Sequence, residues 1–107
     1  MDKMDRRAAK AQWRERKEDW AIASVRIGAG VWLKLTPDPA SFENRVRFML
    51  RQGAGLGGDM QTAWTDTKAI TVEVVERLDP KLSALARERV GAARLAHWAE
   101  TLGARII

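Results

Sequence analysis

The sequence predicts a small α/β (α+β) domain: a three-stranded, mostly antiparallel sheet flanked by helices, in the order α-β-β-α-α-β-α. Two observations predict the sheet. WAIASVRI (20–27) and VWLKL (31–35) are short, apolar and partly β-branched, with Gly28-Ala29-Gly30 between them, which is the pattern of a β-hairpin. AITVEVV (69–75) is the clearest single strand, with Ile70, Val72 and Val74 on one face and Glu73 on the other. A third observation predicts the helices. Asp-Pro occurs at 38–39 and again at 79–80, each before a run with helical spacing; Asp caps free N–H groups and Pro suits the first turn.

The elements follow in order. Residues 4–18 lack Gly and Pro and are rich in Ala, Arg, Lys, Glu and Gln, which favours a basic N-terminal helix over 1–19, docked through Trp13. The hairpin places Val31, Leu33 and Leu35 on one face and Trp32 with Lys34 on the other, so Trp32 is expected to be exposed. In the helix after Asp38-Pro39, Phe42, Val46, Met49 and Leu50 form the buried stripe, Arg51 lies opposite, and Arg45 falls at the edge. Gly53 ends it, and GAGLGG (53–58) is a loop without the Gly-Lys-Ser/Thr of a phosphate-binding loop. A short helix over Asp59 to Asp66 turns Met60, Ala63 and Trp64 inward. The last helix runs from Asp79-Pro80 to about Leu102, with Leu82, Leu85, Ala86, Val90, Ala93, Leu95, Trp98 and Leu102 on its apolar side. One domain, 20–107, with the 1–19 helix attached, fits 107 residues.

Composition excludes several functions. There is no Cys, so disulfides, thiolate metal sites and Cys nucleophiles are out, and one His cannot build the usual zinc site. No apolar run approaches the roughly 20 residues of a membrane span, and MDKMDRRAAK has no signal-peptide core. The expectation is a cytoplasmic protein with no membrane partner. The net charge is +5, unevenly spread: residues 39–53 carry three Arg and one Glu, whereas 54–80 carry two basic and five acidic groups. Such a balance favours contact with a polyanion. Glu73, Glu76 and Asp79 read as a solvated strand exit, and His97 as a helix-surface or core-rim residue. Ser24, Ser41 and Ser83 have no nucleophile-elbow context.

AAKAQW (8–13), NRVRF (44–48), Gln61 with Trp64, and EVVERLDP (73–80) come in an order and spacing that resembles the GIY-YIG nuclease family, over roughly 20–102. The likeness is to its small stand-alone bacterial members. The name-giving motifs are replaced: Ala21-Ile22-Ala23 stands for Gly-Ile-Tyr, and Trp32-Leu33-Lys34 for Tyr-Ile-Gly. The family's phosphate-stabilising Arg corresponds to Arg45, with Arg47 as second choice, and its metal-binding Glu falls at Leu95. Leu95 cannot hold Mg²⁺ and Ala23 cannot position a water, so phosphodiester hydrolysis lacks its main supports.

The resemblance therefore implies a pseudoenzyme without a cofactor. It would bind DNA or RNA through a basic face of Arg26, Lys34, Arg45 and Arg47, with Trp32 stacking. Two alternatives stand beside it. One is a protein-interaction module or homodimer using a vacated apolar groove at Ala21, Ala23 and Leu95. The other is a residual Mg²⁺-dependent endonuclease.

Overall fold

β1 (Ala21–Ile27) and β2 (Gly30–Thr36) form the hairpin, paired antiparallel from Ala21↔Thr36 to Ile27↔Gly30. These come from a computed structural model that describes residues 18–53 and 58–107. The turn is shorter than its three small residues suggest. Gly30 joins the strand, and Gly28-Ala29 alone make the connection. Gly28 has φ 59°, while Ala29 keeps negative φ, the pattern of a type II′ turn. The expected N-terminal helix over 1–19, with Trp13, falls almost wholly outside the described residues.

α1 (Pro39–Arg51) follows, capped by the Asp38 carboxylate, which accepts from Ser41 N at 3.1 Å. α2 (Gly58–Thr67) comes next. β3 (Thr71–Arg77) then pairs antiparallel with β1 on the side away from β2. α3 (Ala84–Leu102) is capped by Ser83, whose Oγ accepts from Ala86 N at 3.1 Å. It starts later than the Asp79-Pro80 signal suggests, because Asp79 instead accepts from Lys81 N at 2.9 Å in a local turn.

The tail corrects the sheet. β4 (Arg105–Ile106) pairs parallel with β2, and Ile107 N donates to Leu33 O at 2.9 Å. The sheet is four-stranded and mixed, in the order β3-β1-β2-β4, rather than three-stranded and antiparallel. Two residues are too short a stretch for β propensity to reveal. Their pairing depends on where α3 ends, at Gly103 with φ 61°.

Helices cover both faces of this sheet. On one face, Ala23, Val25, Ile27 and Trp32 pack with Phe42, Val46 and Leu50 of α1 and Met60 of α2. Ala63, Trp64, Val72 and Ile107 extend this cluster. On the other face α3 approaches β2 so closely that a Cβ on Gly91 would lie 2.6 Å from Leu35 Cδ2. Double coverage explains why β1 reads as a nearly unbroken apolar run rather than an alternating one.

The inward side of α3 also differs from the expected one. Leu85 and Val90 point to solvent, and Gly91 is buried. Arg94, Leu95, Trp98 and Leu102 are half-buried along with it. Counting apolar residues misplaces this stripe, because a glycine and an arginine hold two of its inward positions.

Candidate functional site

The register decides whether the expected basic face exists. Partners across an antiparallel pair point to the same face. Arg26 pairs with Val31, and Lys34 pairs with Ala23. Arg26 and Ala23 differ in parity along β1, so Arg26 and Lys34 project from opposite faces of the sheet. Arg26 is exposed on the α3 face, and Lys34 is half-buried on the face covered by α1 and α2. They do not share one concave surface.

Trp32 is only 4% exposed and belongs to the core. Its ring lies over Gly30, where a Cβ would fall 2.3 Å from Cη2. The expectation that Trp32 stacks on bases is thus overturned. Alternation marks an exposed face only when that side of the sheet is open, and the side that Trp32 shares is covered by α1 and α2.

α1 separates the two expected arginines. Arg47 Nε donates to Glu43 Oε2 at 2.9 Å, and its Nη2 reaches Ile70 O at 3.5 Å, beside the start of β3. Arg45 is exposed on the opposite flank and makes no ion pair among the described residues.

The same helix carries a feature outside the expected basic face. Phe48 is 56% exposed. At about 100° per residue it sits roughly 200° from the buried Val46, on the solvent side of α1. Arg45 and Arg51 flank it three residues away on either side, and Asn44 and Gln52 four residues away. All four are exposed. Helical spacing alone is enough to place Phe48 there.

The vacated groove is absent. Ala21 and Ala23 are 0% exposed, because helices cover the sheet face they share. Leu95 is half-buried on the other face, so the three residues do not line one surface.

The polar cluster that the fold does assemble lies between β3 and α3. Glu76 Oε1 accepts from Arg94 Nε and from Trp98 Nε1, each at 2.7 Å. Burial acts to raise the Glu76 pKa. The hydrogen bonds from Trp98 and Arg94, with the charges of Arg94 and His97, outweigh it and hold the carboxyl below the usual glutamate value. Glu76 was expected at a solvated edge. A register shift opposite Ile22 and Ala23 moves it from the phase of Val72 and Val74 to the other face, beneath α3. Glu73 and Asp79 are exposed, as expected, and so is His97, edge-on to Trp98 at 5.3 Å.

Compared with models of known families, with curated proteins and with solved structures, the chain matches none. Among the described residues, no three His, Asp or Glu side chains come together in a way that would hold a metal ion. No described helix is long and apolar enough to cross a membrane.

The net charge is not carried by the described surface. Residues 1–17 hold seven Lys or Arg against three Asp or Glu, and residues 18–107 hold twelve against eleven. Nearly all of the net +5 therefore belongs to the first 17 residues. Among the described residues, Arg47, Arg77, Arg94 and Arg105 are paired with Glu43, Asp19, Glu76 and Asp59.

Proposed function

We propose that this protein is a non-catalytic, GIY-YIG-like nucleic-acid-binding protein that contacts phosphates through Arg45 on α1 and through the basic residues 1–17. The observation that carries the reading is Arg45: exposed, without an ion pair among the described residues, and on the same helix as a second exposed arginine, Arg51, six residues further on. An arginine of this kind attracts phosphate in ground and transition state alike, which amounts to binding rather than catalysis.

The order β-β-α-α-β-α over Ala21–Leu102 supports the resemblance, which in turn implies the phosphate-facing role for Arg45. Leu95 at the metal-ligand position and the buried Ala23 at the Tyr position support the loss of chemistry. The reading as an interaction module loses its support with the groove at Ala21 and Ala23.

Titrating the full chain into a labelled oligonucleotide at several salt concentrations, with and without a chelator, tests the proposal. Affinity that falls steeply with salt and is indifferent to the chelator is expected. An absence of binding at low salt, or affinity independent of salt, overturns it. So does chelator-sensitive cleavage of the probe.

A further inference from the structure

We infer that the solvent face of α1 is a base-stacking platform selecting single-stranded over duplex nucleic acid, with Phe48 as the stacking ring. The inference rests on the nucleic-acid reading above and names the form of the ligand.

The arrangement around Phe48 carries the argument. A large aromatic 56% exposed in the last turn of a helix forgoes the burial that would ordinarily place it inside. On a helix, residues three and four apart are neighbours, with Cβ atoms about 5–6 Å apart. Arg45 and Arg51 therefore bracket the ring with guanidiniums, and Asn44 and Gln52 bracket it with carboxamides. No acid lies on this side of α1. Glu43, on the far flank, is tied to Arg47 at 2.9 Å.

These four neighbours suit one occupant. A base offers a π face to the ring and donor and acceptor edges to the carboxamides, and its flanking phosphates meet the guanidiniums. Only an unpaired base offers its face, because in a duplex both faces are already stacked. Aromatic, arginine and amide side chains interleaved on one surface are the ingredients of sequence-tolerant single-strand binding. An acidic peptide would satisfy the arginines and could pair its backbone with the carboxamides, but its acidic side chains offer the ring no π face.

The test uses the full chain and fluorescein-labelled oligonucleotides of about 16 nucleotides, as single-stranded DNA, single-stranded RNA and the matching DNA duplex. Wild type is expected to bind the single strands more tightly than the duplex. Phe48→Ala is expected to lower single-strand affinity about tenfold and leave duplex affinity unchanged, whereas Phe48→Trp retains the preference. Phe48 is exposed, so these variants are expected to fold; thermal melting coincident with wild type confirms it.

Wild-type binding with steep salt dependence but no effect of Phe48→Ala overturns the platform and leaves the nucleic-acid reading standing. Equal losses for strand and duplex also overturn it. Tighter binding of a labelled poly-glutamate peptide than of any oligonucleotide overturns both.

Discussion

Trp98 Nε1 donates to Glu76 Oε1 at 2.7 Å, and through this bond the last helix is fastened to the edge strand of the sheet. Arg94 Nε reaches the same oxygen at 2.7 Å, so one carboxylate serves two donors from successive turns of α3. The pair with Arg94 is only partly shielded from water, which limits its worth to about 1 kcal/mol.

Glu76→Gln is expected to keep an acceptor for Trp98 while losing the charge, at a cost of about 1 kcal/mol. Glu76→Ala strands both donors and costs about 1–3 kcal/mol. The sign of the pH dependence follows from the lowered pKa. The contribution is fully present above the ordinary glutamate value and disappears as pH falls through the lower folded value. Urea midpoints of wild type and Glu76→Gln are expected to differ at neutral pH and converge in acid. A gap that persists in acid sinks the assignment.

Gly91 lies where α3 and β2 are closest. Any Cβ at this position meets Leu35 Cδ2, at 2.6 Å. For alanine the obstacle is the end of a flexible side chain, and the gain in helix propensity of about 1 kcal/mol opposes it. Valine leaves no such balance, and Gly91→Val is expected to cost about 1–3 kcal/mol. Leu35→Ala opens the space, so the two substitutions should be non-additive in a double-mutant cycle read by chemical denaturation. Strict additivity would mean that contact with Leu35 is not what keeps this position a glycine.

Much of this fold is legible in the sequence, and the failures share a cause. Phe42, Val46 and Leu50 recur at helical spacing and are buried as expected. Asp38-Pro39 starts α1 because the Asp38 carboxylate reaches both the backbone N and the Oγ of Ser41. The second Asp-Pro fails because Ser83 offers a better-placed cap four residues on. Trp32 and Glu76 depart from expectation for non-local reasons. Trp32 is buried because both sheet faces are covered, and Glu76 turns under α3 because of the register shift in β3. Yet a charged residue in the apolar phase of a strand is itself a signal that the phase changes there. On the candidate site, Arg45 is singled out by the family resemblance and not by spacing, which put it at the edge of the buried stripe; it is exposed, and its separation from Arg26 and Lys34 depends on pairing and helix placement.

Lys68 ends α2 in the left-handed region, with φ 56°, and it is the one non-glycine among the described residues that does so. That conformation costs about 1–2 kcal/mol for a residue with a Cβ. Its Nζ lies 4.1 Å from the Trp64 ring centroid, an exposed cation–π contact worth about 0.5–1 kcal/mol. The strain is the larger of the two. Lys68→Gly is therefore expected to raise the melting temperature slightly, and Lys68→Val to lower it. A glycine variant less stable than wild type would show that the contact with Trp64 outweighs the backbone.

Salt dependence separates the groups that hold phosphate from the one that stacks on a base. Residues 1–17 carry most of the net charge, whereas Phe48 carries none. Replacing Arg6, Arg7, Lys10 and Arg14 by Gln is expected to flatten the plot of log affinity against log salt. For a single strand the slope changes by about 0.7 for each phosphate that is no longer neutralised. Phe48→Ala is expected to lower the same line without tilting it, because stacking releases no counterions. Arg45→Gln should tilt it by the amount that a single phosphate accounts for. If the four-residue variant keeps the wild-type slope, these four groups neutralise no phosphates. The electrostatic part of binding would then rest on Lys3, Arg16 and Lys17 or on α1, where Arg45 and Arg51 flank the ring.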